Sequence, residues 1–301
     1  MPSLLDQLRD ACATIAGRAR YVRVNGEAVP GYAAALDLDA RMIASEGPRE
    51  HSAAFWLTLD AINFGSGWFP TLNKPPGRSG YHTVAGGLEE RFATDGPWSA
   101  EELAQITPEE IAKTLGQDPD HELMALFARS LNDLGGHVAR DHGGRFEAVI
   151  DAAENSAERL VGRLAGWDSF QDTSFYDGLA VPFLKRAQIV AADLARAEAG
   201  EFNDLQRLTM FADNLVPHVL RLDGVLTFDP ELVNRIDHED LIAHGSPEEV
   251  EIRACAVRAV ELLVAERSDT TAAQIDQLLW RRGQQPRYKA VPRHRSRTTA
   301  Y

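Results

Sequence analysis

The sequence predicts a mostly α-helical domain with one minor β-hairpin. Three observations carry that expectation. Apolar residues recur at helical spacing over long stretches, helix-start signals are frequent, and no strand–helix alternation marks a parallel sheet. The chain has 301 residues, of which 44% are hydrophobic and 25% charged. That balance belongs to an ordinary globular protein, and residues 1–301 are expected to form one domain.

The elements follow in order. Residues 21–29 alternate around Asn25-Gly26 and suggest a small hairpin. Ser99 with Glu102, and Thr107 with Glu110, read as capping boxes, the second with Pro108 at the first helical position. Leu123, Leu126, Phe127, Leu131, Leu134 and Val138 form an apolar stripe that Gly143-Gly144 ends. From Phe146, the residues Val149, Ile150, Ala153, Ala157, Leu160, Val161 and Leu164 keep one face apolar for about five turns. Residues 179–182 read as extended. Asp229-Pro230 and Ser246-Pro247 with Glu249 repeat the start signal. Residues 250–264 are apolar on nearly all sides, the pattern of a central helix covered by others.

Composition and missing motifs exclude several classes. The net charge is −14, and residues 281–301 hold seven Lys/Arg and no acid, which leaves 24 basic against 45 acidic residues in the first 280. A body that acidic repels a phosphate polymer, so no nucleic acid polymer is expected as partner, although one phosphate held locally is compatible with it. The basic segment reads either as a tail docked on the acidic body or as a local anion site. No apolar run reaches the ~18 residues of a membrane span. The N-terminus lacks the apolar core of a secretory signal, and Cys12 and Cys255 are too few for a disulfide framework or zinc cage. The expectation is a cytoplasmic protein with no membrane partner, cofactor or metal. There is no P-loop, dinucleotide loop or nucleophile elbow. His137 and His142 are five apart and do not stack on one helix face.

Four segments carry more polar chemistry than packing needs. Residues 55–70 are aromatic and apolar but include Asp60, Asn63 and Gly65-Ser66-Gly67, a composition suited to a planar heterocycle or to a core helix and its loop. Lys185 and Arg186 open an otherwise apolar helix, where cations oppose the helix dipole unless an anion is near. Asp213 stands among apolar neighbours, either as a cap or for chemistry. Glu251 and Arg253 lie on the central helix, while Asp276 and Trp280, four apart, share a helix face.

In this order, the strings resemble the queuosine salvage family, the queuosine 5′-phosphate N-glycosylase/hydrolases. The resemblance runs from residues 59–64 and Gly80-Tyr81 through Gly144-Arg145-Phe146, residues 154–157, 183–189, 209–213 and 249–253. It closes with Asp276, Leu279-Trp280 and residues 292–295. It implies a helical fold like that of helical DNA glycosylases. The implied reaction is hydrolysis of the N-glycosidic bond of queuosine-5′-monophosphate, which releases queuine for reuse in transfer RNA. Asp213 corresponds to the family's catalytic carboxylate, and Lys185 carries over from the Lys-Arg-Ala-Gln string. The family's Phe-Ala-Asp-Tyr-Arg is here Phe-Ala-Asp-Asn214-Leu215, and an aromatic-rich stretch after Phe64 is here Gly65-Ser66-Gly67 with Trp68 following.

Under this reading the substrate is a small-molecule nucleotide. Asp213 steadies the oxocarbenium-like transition state. Asn63 assists the leaving base; Phe64 and Trp68 stack on it or line its slot, beside Phe211. Asp276 with Trp280 suits the substrate's secondary ammonium, and Lys185, Arg186 or the tail cations, including Arg293 and Arg295, meet the 5′-phosphate. The competing readings are a related glycosylase acting on another base and a queuosine or queuine binding protein without catalysis.

Overall fold

Two hydrophobic clusters organise the helices of the protein, for which a computed structural model describes residues 2–37 and 48–301. The first cluster joins the helices Arg49–Ala61, Gly80–Asp95, Glu122–His142, Ala157–Leu164 and Lys185–Arg196 through Leu57, Leu88, Phe127, Leu160 and Val190. The second surrounds the helix Pro247–Ala265, which is buried on most sides as its sequence predicts. Leu4–Ala16, Leu215–Leu222 and Ala272–Arg282 pack on that central helix. The minor β structure consists of two antiparallel pairs.

The helix-start signals act as read. Ser99 and Thr107 form reciprocal capping boxes with Glu102 and Glu110, and Asp229 and Ser246 cap with their side chains. Each satisfies amides that the first turn cannot bond internally. Gly143, at φ 62°, ends the helix Glu122–His142.

Two local expectations are corrected. Residues 21–29 do not form their own hairpin. Strand β1 (Val22–Val24) pairs with the distant β4 (Leu226–Phe228), and the chain turns helical at Val29. The Glu251 carboxylate on the central helix takes the N–H groups of Arg20, Tyr21 and Val22, which fixes the strand there, and Pro30 suits a helix's first turn. The hairpin forms instead between β2 (Thr173–Tyr176) and β3 (Leu179–Pro182). Its turn residues Asp177 and Gly178 both have positive φ, 47° and 80°, as a two-residue turn of this kind requires.

The five-turn stripe from Phe146 is two helices, Phe146–Asp151 and Ala157–Leu164. Glu154 and Asn155 are left-handed between them, and Ser156 restarts the helix. The Asp204 carboxylate accepts the Ser156 hydroxyl and the Ala157 N–H, both at 2.6 Å. Both helices face one cluster, which is why the apolar spacing runs through the break.

The basic segment is woven into the body. His294, Ser296, Thr298, Ala300 and Tyr301 are buried. Gly65, at φ 101°, donates its N–H to the Tyr301 main-chain oxygen, and a Cβ on Gly67 would stand 2.4 Å from the Ser296 carbonyl oxygen. Asn214 Nδ2 donates to the His294 carbonyl at 3.0 Å. The glycines and the asparagine at the family departures are thus the contacts that receive the C-terminal segment. No helix of the described residues is long and apolar enough to cross a membrane.

Candidate active site

A pocket of about 580 Å³ opens where the two clusters meet. It collects Asn63 and Phe64 from the end of the Arg49–Ala61 helix, Lys185 from the start of the Lys185–Arg196 helix, and Phe211 and Asp213 from the segment before Leu215–Leu222. Asp276 and Trp280 reach it from Ala272–Arg282.

Asp213 is both a cap and a pocket group. Its Oδ1 accepts the N–H groups of Leu215 and Val216 at 2.9 and 3.0 Å, while Oδ2 has no hydrogen-bond partner among the described residues. The residue is half-buried and lines the cavity. Burial pushes its carboxyl above the ordinary range, against the pull of the Lys185 ammonium, the two amides and Arg293. The capping amides lock the carboxylate's orientation and leave one oxygen for a ligand.

Lys185 donates its ammonium to the Asn63 carbonyl at 2.7 Å and to Asn63 Oδ1 at 3.2 Å. Burial, with the neighbouring Arg186 charge, lowers its pKa to about 8 although the Asp213 charge opposes that. Asn63 also donates Nδ2 to Asp60 Oδ1 at 3.3 Å, so its side chain links Lys185 to Asp60 at the pocket wall. Asp60 is fully buried behind the lining; burial and the charge of Asp193 raise its pKa well above the ordinary range.

Arg186 turns away from the pocket. It donates to the Ala61 and Ser169 carbonyls and lies 4.9 Å over the Phe64 ring. This neighbour of Lys185 therefore braces the aromatic wall instead of meeting a ligand. Asp276 Oδ1 accepts the Phe211 N–H at 3.0 Å, and burial together with the Asp213 charge raises its pKa well above the ordinary range. Trp280 meets Tyr81 edge-on at 5.5 Å between centroids.

Besides Arg186, two anticipated residues do not line the pocket. Trp68 Nε1 donates to Glu122 at 2.7 Å, and Arg297 covers its ring, so the indole supports the C-terminal segment. Arg295 is drawn to Glu239. Arg293, two residues earlier, lines the pocket instead. It has no ion pair or side-chain hydrogen bond with another described residue, and its Nε is buried without a partner. Burial lowers its pKa, with Asp213 countering.

Sequence reasoning missed Asp193, which lines the pocket, pairs with Arg196 at 2.8 Å, and is raised by burial to about 6. The signal was present: it is the acid closing the apolar run 189–192. Tyr301 and Glu89, also in the lining, carry no such signal.

Fold and site together define a mostly helical protein with a pocket that sets several carboxyl groups among aromatic rings and a few cations. The family model described as queuosine salvage protein matches residues 43–301, and the chain belongs to that family. It is 38% identical over 266 residues to the queuosine 5′-phosphate N-glycosylase/hydrolase of Sphaerobacter thermophilus, covering 84% of this chain and 82% of that protein. The protein of the same name from Dictyostelium discoideum is 33% identical, covering 84% of this chain and 79% of its own length. That from Bos taurus is 28% identical, over 74% and 72% of the two chains.

Proposed function

We propose that this chain hydrolyses the N-glycosidic bond of queuosine-5′-monophosphate, giving queuine and ribose 5-phosphate. The observation that carries the reading is Asp213, held by two amides through one oxygen and presenting the other to a pocket of about 580 Å³. Family membership and the names of the relatives support the substrate class.

Cleavage builds positive charge at the anomeric carbon. A fixed, desolvated carboxylate beside it stabilises that charge, because a low-dielectric surrounding strengthens the attraction. Asp276 has its ionisation suppressed by burial and by Asp213, so in its neutral form it donates a hydrogen bond to the departing base. Burial raises both carboxyls, Asp276 with the Asp213 charge added, so Asp276 takes the acid role and Asp213 the anion role. Phe64, Phe211 and Trp280 supply apolar surface for the planar base. Asp193 and Glu89 match the substrate's secondary ammonium, and Arg293 its 5′-phosphate.

The test is incubation of the purified protein with queuosine-5′-monophosphate and, in parallel, with the unphosphorylated nucleoside, with chromatography of the products. Free queuine from the nucleotide is expected, at a lower rate from the nucleoside. Intact nucleotide after many hours, from protein that is folded, would refute the reading.

A further inference from the structure

Two pocket-lining charged groups, Asp213 and Lys185, sit on separate segments, yet both are tied to one buried ion pair. Arg253, on the central helix and fully buried, donates Nε to the Ala212 carbonyl at 2.9 Å, the residue before Asp213. Its Nη2 donates to Asp172 Oδ2 at 2.7 Å. The same Asp172 oxygen accepts the Lys185 backbone N–H at 3.0 Å. The guanidinium itself lies 3.9 Å from the centroid of Phe183 and 4.5 Å from that of Tyr301, whose ring also lines the pocket.

The backbone at Lys185 needs such a hold. Leu184 is left-handed, φ 52° and ψ 36°, a conformation that a γ-branched L-residue adopts only when its surroundings impose it. Asp172 brackets the turn: its carbonyl accepts the Leu184 N–H at 3.4 Å and its carboxylate the Lys185 N–H. From there the side chain reaches Asn63 in the pocket wall.

We infer that Asp172 and Arg253 form a positioning pair, which fixes Asp213 and Lys185 relative to each other without touching the substrate. Neither residue lines the pocket. The placement matters because displacement of about 1 Å at a reacting group can cost on the order of 100-fold in rate. It also matters because the Lys185 charge favours the ionised form of Asp213.

The inference rests on the glycosidase reading only for its kinetic consequence; its geometry can be tested without substrate. The variants are Asp172→Ala, which removes the carboxylate acceptor, and Arg253→Lys, which keeps charge but not the fork. In a crystal structure of Asp172→Ala, Leu184 is expected to leave the left-handed region and Lys185 Nζ to leave Asn63. Both unmoved would overturn the inference whether or not the wild type is a glycosidase. Where the wild type releases base, each variant should lose on the order of 100-fold in kcat. The acid limb of the kcat profile should also move to higher pH by about one unit, as Asp213 loses its cation. The double variant should lose little more than either single one, because the two act as a unit. A kcat loss with the acid limb unmoved is the mark of a merely structural pair and contradicts the role. If either variant does not fold, the other alone decides.

Discussion

Replacing Arg293 by Gln tests how the pocket would hold a phosphate. Arg293 lines the cavity, has no carboxylate within ion-pair distance among the described residues, and leaves Nε buried without a partner. By contrast, Arg282 and Arg287 meet Asp223, and Arg295 meets Glu239. A hydrogen bond to a charged group contributes about 1.5–3 kcal/mol. Arg293 is half-buried, not sealed from water, so the lower half of that range applies, which is roughly 10- to 40-fold in kcat/KM. The assay compares kcat/KM for the nucleotide and the nucleoside in wild type and Arg293→Gln. The variant should lose that factor on the nucleotide and almost nothing on the nucleoside. An equal loss on both, or a loss on neither, refutes the phosphate role. Thermal stability should hold or rise slightly, because the substitution removes a desolvated charge that the free protein leaves unpaired.

Two further predictions concern the walls of the site. With its pKa lowered to about 8, Lys185 loses its charge as pH rises through that value, so kcat should fall along a basic limb near 8. Lys185→Met should lower kcat and remove that limb; a limb that persists would assign it to another group. Its effect on folding has the opposite sense: the folded state binds fewer protons than the unfolded chain between about 8 and the ordinary 10.5, so this group's contribution to stability rises with pH across that window. Gly67→Ala places a Cβ 2.4 Å from a backbone oxygen of the C-terminal segment, and neither chain can yield cheaply. It should destabilise by about 1–3 kcal/mol and reduce activity together, read by thermal melting and base release. An unchanged melting temperature would contradict the tight approach of residues 65–67 to that segment.

The helices were legible where local signals act alone. The caps at Ser99, Thr107, Asp229 and Ser246, and the all-round apolar helix Pro247–Ala265, depend on neighbours in sequence, and the structure repeats them. The errors arise where a distant side chain decides. Glu251 pulls residues 20–22 into a non-local strand pair, and Asp204 supports the helix restart at Ser156, and neither can be read from local spacing. The site follows the same division. Asn63, Phe64, Lys185, Phe211, Asp213, Asp276 and Trp280 converge on one pocket because polar residues inside apolar runs were worth singling out. Which tail cations face the pocket was not legible: Arg281, Lys289 and Arg293 line it and Arg295 does not. Arg293 and Arg295 stand two apart and look equivalent in the sequence, and the acid Glu239, remote in sequence, captures Arg295. The choice between cap and chemistry for Asp213 was also posed too sharply, since one oxygen caps while the other has no partner among the described residues.

The most direct measurement is single-turnover base release from queuosine-5′-monophosphate by wild type and Asp213→Asn, with substrate affinity measured alongside. The amide keeps an oxygen to cap Leu215 and Val216, so the fold should survive. The account predicts a rate lowered about 100- to 1000-fold with affinity changed only a few-fold, the signature of a group acting on developing charge. A folded Asp213→Asn protein that releases queuine at nearly the wild-type rate would contradict it.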